Sequence, residues 1–197
     1  KKTGNYALSM LSITDDGIET LPINDAHGGT IASSLVAFYC KVSDRPEWKT
    51  MYKKMMAKGK LKANIYNLIM SVDEITEEEP LVKPKFDVLP KVGQVSSIRK
   101  DSDLGHIHFH LCSGPTYGGH YHQDKGSFIL EAGDEVLAMD RGVTSYDHPE
   151  TNLMKLAGRH NMLYPESEGG SSLVQLSDAE GGKLESALEE KGVVMLT

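Results

Sequence analysis

No apolar run in these 197 residues approaches the length of a membrane span, and no signal peptide is visible. A basic excess is missing too. The net charge is −7, which argues against a nucleic-acid surface, since that needs a stripe of Lys and Arg. Cysteine is scarce: Cys40 and Cys112 fall in different predicted elements, give no disulfide framework and assign no redox compartment. No internal repeat or low-complexity segment stands out. What remains is an ordinary globular composition, 39% hydrophobic and 25% charged, on a chain long enough for one good core or two small lobes. The chain starts at Lys1-Lys2 with no Met and reads as an internal piece of something longer.

The pattern changes near residue 75. Residues 1–20 give weak signals, with a turn at Asp15-Asp16-Gly17. The polar, small-residue loop Pro22–Gly29 leads into a helix predicted over about Thr30–Val42, with Ile31, Leu35, Phe38 and Val42 as its apolar stripe. Ser43-Asp44-Arg45-Pro46 stops that helix and starts another, which carries Trp48, Met51, Tyr52, Met55 and Met56 on one side and ends near Gly59. A third is predicted from Leu61 to about Val72, repeating Ile65, Leu68, Ile69 and Val72. The acidic run Glu77-Glu78-Glu79 with Pro80 and Pro84 then breaks the periodicity and reads as a solvated linker. From Phe86 onward the pattern is β: Phe86–Leu89, Gln94–Arg99, Gly105–Cys112, Ser127–Glu131 and Glu135–Asp140, with Ser171–Leu176 and Val193–Leu196 as further candidates. The expected class is α+β, a helical segment over 1–76, a linker over 77–87 and an antiparallel β-lobe over 88–197.

The stretch Tyr117–Asn161 holds the chemistry. Gly133-Asp134 is a good two-residue hairpin loop between the last two of the five strands. Pairing around it sets Asp140 opposite Ser127, so that the loop with His120, Tyr121, His122 and Asp124 emerges beside Asp140. His106, His108 and His110 alternate with apolar residues, placing three imidazoles on one face of a strand. That row is compatible with a metal site, but more often such a row is simply the polar face of a half-buried strand. His120-Tyr121-His122 differs: Gly118-Gly119 precede it, and His160 lies in Gly158-Arg159-His160-Asn161. Two histidines and a carboxylate are a standard zinc ligand set with an open position. Surface or core histidines beside a structural aspartate are the alternative.

Gly119-His120-Tyr121-His122-Gln123-Asp124-Lys125-Gly126-Ser127-Phe128, Asp140-Arg141-Gly142, Tyr146 and His160-Asn161 together resemble the heparinase II/III-like domain of polysaccharide lyases. The resemblance is specific across roughly 88–163, looser across 20–75 and absent over 1–20. It implies the closing helices of an α/α toroid followed by an incomplete antiparallel β-sandwich, with an acidic polysaccharide bound between them.

Residue by residue, the resemblance implies His122, Asp140 and His160 as ligands of one zinc ion with a mainly structural role. His120 is then the catalytic or substrate-orienting histidine. Tyr146 and Arg159 are candidate substrate contacts, although a rim tyrosine and a structural ion pair explain them as well. Asp124 is expected to brace the loop. The implied reaction is β-elimination beside a uronic acid, and the implied location is periplasmic or extracellular. The family's base-supplying tyrosine belongs to a toroid motif not found here, so the chain is expected to be a fragment, inactive alone and dependent on the remainder of its toroid. Three alternatives stand beside this: a cupin-like metal barrel, a non-catalytic carbohydrate-binding scaffold and a uronyl epimerase. Gly126 and Ser127 occupy the positions where a cupin site normally has glutamate.

Overall fold

The computed structural model describes residues 2–14, 18–26, 29–69, 86–114, 120–163, 182–190 and 193–196. The expectations for residues 15–17, Gly118-Gly119, Val72, the acidic linker and the strand over 171–176 lie outside these residues. Among the described residues no helix is long and apolar enough to cross a membrane. The class is α+β: a few helices and antiparallel sheets.

The helical part begins with α1 (Lys2–Ser9), where the sequence predicted nothing. A short antiparallel pair follows, β1 (Glu19–Thr20) with β2 (Gly29–Thr30). Next come α2 (Ser33–Val42) and α3 (Pro46–Ala57), with Pro46 in the first turn of α3, where its missing N–H is no loss. On α3 the expected stripe is buried at Trp48, Met51, Tyr52 and Met55, while Met56 faces outward. Of the predicted α2 stripe, Ile31 is buried and Leu35 packs against the core, but its second half is misplaced. Ser33, Val36, Ala37 and Cys40 are buried, whereas Phe38 is 40% and Val42 59% exposed. Small residues at that spacing let α2 approach closely, and Tyr39 stacks on Trp48 with ring centroids 4.5 Å apart. Close packing of the hairpin therefore outweighed the larger stripe. The third helix is also corrected. Among the described residues it is α4 (Ile65–Ile69), starting later than Leu61, and Ile65, Leu68 and Ile69 are exposed. None of the residues Ile65–Ile69 is buried, so no packing rewards extending the helix back to Leu61.

The β-lobe is a five-stranded antiparallel meander in sequence order: β3 (Phe86–Leu89), β4 (Gln94–Asp101), β5 (Gly105–Cys112), β6 (Ser127–Ala132) and β7 (Glu135–Ala138). A further pair, β8 (Ala187–Glu190) with β9 (Val193–Leu196), completes the described sheets. The hairpin turns at Gly133-Asp134 as expected, but a bulge between Leu130 and Glu131 shifts its register, so that Ala138 rather than Leu137 faces Leu130.

The histidine row on β5 is corrected as well. His108 and His110 are buried and only His106 is exposed, while Ile107, Phe109 and Leu111 are half-buried. At His108 and Glu131 the polar face is covered because Ser12 and Ile13 bring matching polar groups to it. Glu131 accepts hydrogen bonds from Ser12 Oγ and from the Ile13 amide (2.9 Å), and His108 Nδ1 lies 3.0 Å from the same carboxylate. Ser96 Oγ sits 2.9 Å from the other nitrogen of His108. Burial pushes the Glu131 carboxyl up, but these bonds outweigh it and hold it below the usual range. Beside this clasp, Met10, Leu21 and Ile23 pack on Ile129 of β6, joining the helical part to the sheet.

Candidate metal centre and cleft

Three chain segments meet at the end of the sheet beyond β6 and β7. The first is the loop that enters β6, residues 120–126, whose path is fixed by main-chain and side-chain bonds. The Gly126 amide donates to the Cys112 carbonyl (2.7 Å) and the Ser127 amide to the Asp124 carbonyl (2.9 Å). Asp124 is fully buried, with Lys125 Nζ 2.5 Å from its Oδ1 and the Cys112 thiol 3.9 Å from its Oδ2, so it braces the loop from inside. Burial, together with the charge of Asp124, pushes the Cys112 thiol up to about 12.

The second segment follows β7. Asp140 Oδ1 accepts the Gly142 amide (2.9 Å) and its Oδ2 lies 2.7 Å from His160 Nδ1. The third segment is α5 (Thr151–Met154) with the 3-10 turn Ala157–Arg159, and it is pinned by Asn161. Asn161 Nδ2 donates to the carbonyls of Phe128 and Met139 (both 3.1 Å), and the Phe128 amide donates to the Asn161 carbonyl (3.1 Å). One asparagine thus ties the His160 segment to both arms of the hairpin.

The result is a buried cluster. His122, Asp140 and His160 each offer one ligand atom within 4.8 Å of the others. His122 Nδ1 and His160 Nε2 are sealed from water with no hydrogen-bond partner among the described residues. Orphaned imidazole nitrogens beside a carboxylate fit a zinc-type cation, which would satisfy both lone pairs at once. Burial pushes the His122 imidazole down, toward the neutral form a metal ligand needs.

One residue at this site escaped the sequence reading. Asp25, in the loop before α2, places Oδ1 2.9 Å from His122 Nε2 and 2.9 Å from Lys155 Nζ, while Oδ2 lies 2.8 Å from His120 Nδ1 and accepts the Tyr146 hydroxyl at 3.0 Å. Burial raises its carboxyl, but the bonds from Lys155, His120, His122 and Tyr146 outweigh that and hold it far below the usual range. Asn24, directly before it, takes a left-handed φ of 53°, which Asn tolerates better than most residues. The only sequence signal was a carboxylate in a small-residue loop.

His120 and Tyr146 stand at a cleft of about 540 Å³, lined also by Tyr6, Asn24, Asp25 and Gln94. The His120 side chain is 78% exposed, and the hydrogen bond from Tyr146 to Asp25 raises the phenol. Arg159 is exposed and does not line this cleft. The structure therefore brings His120, His122, Asp140, Tyr146 and His160 together and leaves Arg159 apart.

No protein-family model matches the chain, and neither does any curated protein. Among solved structures it is similar to a heparinase III, at 16% identity and a TM-score of 0.49, over 78% of this chain and 22% of that one. It is also similar to a heparan sulfate lyase from Pedobacter heparinus, at 15% identity and a TM-score of 0.49, over 76% of this chain and 21% of that one. The chain spans about a fifth of the length of either protein.

Proposed function

We propose that the chain is part of a polysaccharide lyase, supplying a metal-braced β-lobe and the adjoining helices to a cleft where a uronic-acid polymer is cut by β-elimination. The observation that carries this reading is the buried convergence of His122, Asp140 and His160 directly beside an exposed His120 at a cleft. The motif resemblance supplies the reaction class.

In such an elimination the proton on C5 is removed, its electron pair forms the C4–C5 double bond, and the C4–O4 bond breaks as O4 takes a proton. His120 is suited to move one of those protons, because an imidazole offers one nitrogen that donates and one that accepts. Tyr146, whose phenol is shifted upward, is suited to hydrogen-bond the sugar rather than to act as a phenolate. A zinc ion bound by His122, Asp140 and His160 would act mainly as a brace for the loop that presents His120. The base that removes the C5 proton is assigned to the remainder of the toroid, and the enzyme to the periplasm or the cell exterior.

The test is an elimination assay on uronate polymers, following the absorbance of the unsaturated product. The chain alone is expected to be inactive. A longer protein that includes the toroid is expected to be active and to lose about 10²- to 10⁴-fold on His120→Ala. Full activity in that variant would defeat the reading.

A further inference from the structure

We infer that Asp25 is a positioning residue that couples the metal cluster to His120, so that filling the cluster steadies His120 with Nδ1 on the shared carboxylate and Nε2 toward the cleft. The inference rests on the reading of His122, Asp140 and His160 as a cation site, and it extends that reading to a residue outside the ligand set.

The geometry is a two-sided carboxylate. Asp25 Oδ1 meets His122 Nε2 at 2.9 Å, and Oδ2 meets His120 Nδ1 at 2.8 Å. An ionised carboxylate can only accept, so both nitrogens must carry hydrogen. For His122 that leaves Nδ1 as the lone pair, and Nδ1 is the buried nitrogen without a partner in the cluster. Carboxylates commonly hold the far nitrogen of a metal-bound histidine in this way.

For His120 the same logic fixes the tautomer. The Tyr146 hydroxyl donates its proton to Asp25 Oδ2, so the 3.0 Å contact between Tyr146 and His120 Nδ1 needs the hydrogen on Nδ1 as well. Nε2 is then the acceptor left for the cleft. Asp25 itself comes from the helical part and Lys155 from the segment before His160, and their 2.9 Å ion pair ties those two pieces to the same carboxylate. A cation on His122 Nδ1 would fix the ring whose Nε2–H holds Oδ1, and so steady the one carboxylate that also holds His120.

The experiment uses the chain with zinc alone as the probe. Imidazole nitrogen resonances of His120 are followed by NMR at neutral pH while zinc is added, in the unaltered protein and in Asp25→Asn. In the unaltered protein, zinc is expected to sharpen the His120 signals into the pattern of an Nδ1–H tautomer. In Asp25→Asn the zinc stoichiometry is expected to persist, with affinity about 10- to 100-fold weaker, while His120 no longer responds. A His120 response unchanged in Asp25→Asn overturns the inference. So does the absence of any response to bound zinc in the unaltered protein, a result that does not depend on the variant folding. Neither readout needs turnover, so a coupled His120 here, with no elimination by a longer protein that includes the toroid, would sink the lyase reading alone.

Discussion

A Cβ added at Gly142 would stand 1.9 Å from the carbonyl oxygen of Ala26, because the turn after Asp140 and the loop carrying Asp25 meet backbone to backbone. Gly142 also has a φ of 57°, which side chains rarely adopt. Gly142→Ala is therefore expected to cost about 1–3 kcal/mol from the backbone conformation, with more from the clash. Urea unfolding measures the loss. Because the displaced segment carries Asp25, zinc affinity is expected to fall as well, and unchanged stability would count against the observed contact.

Metal analysis tests the cluster directly. The protein is expected to bind one equivalent of zinc, and His122→Ala and His160→Ala are each expected to lose it. Zinc at a hundredfold excess over its dissociation constant would raise stability by about 2.7 kcal/mol, seen as a higher Tm only where the cluster is intact. Absence of zinc from all three proteins would favour a scaffold role for these histidines.

Acid sensitivity should come from beneath the sheet. His110 is fully buried, and neither ring nitrogen has a hydrogen-bond partner among the described residues. Burial pushes its imidazole down to about 3. Between the ordinary histidine value and that one, the unfolded chain binds a proton that the folded chain does not, so stability falls as pH falls through this window. The slope from this residue is at most about 1.4 kcal/mol per pH unit. His110→Leu is expected to flatten the slope and to be neutral or stabilising at pH 7, since it removes two unsatisfied groups. Unfolding midpoints from pH 7 to 4 provide the check.

Glu131 adds to that acid loss at lower pH. Its folded carboxyl lies below the usual range, so its contribution is complete above the unfolded value and disappears as pH falls through the folded one. Glu131→Gln is expected to cost about 3 kcal/mol at pH 7, because it breaks a buried pair and leaves His108 and Ser12 facing an amide. A change below about 1 kcal/mol by urea unfolding would show that the clasp contributes little.

Much of the β-lobe was legible because its signals are local. Gly133-Asp134 turns where a two-residue loop should, and the five runs from Phe86 onward became the five strands of the meander. The α3 stripe of Trp48, Met51, Tyr52 and Met55 was equally plain. Elsewhere local signals misled. Phe38 and Val42 looked like core and face outward, while Val36 and Ala37 are buried, because the choice depended on how closely α3 could approach. His108 and His110 looked like a solvated face, but His108 pairs with Glu131, which Ser12 and Ile13 reach from more than a hundred residues away.

By itself the sequence determined the positions of the five strands, the turn chemistry and the grouping of His122, Asp140 and His160, because each depends on residue type at short range or on a motif read whole. Only the tertiary structure decided that Asp25 serves two of the histidines, that Tyr146 joins them and that Arg159 does not. Those outcomes depend on where separate segments come to rest, and a hydrogen bond across 97 positions between Asp25 and His122 leaves no periodic trace in the chain.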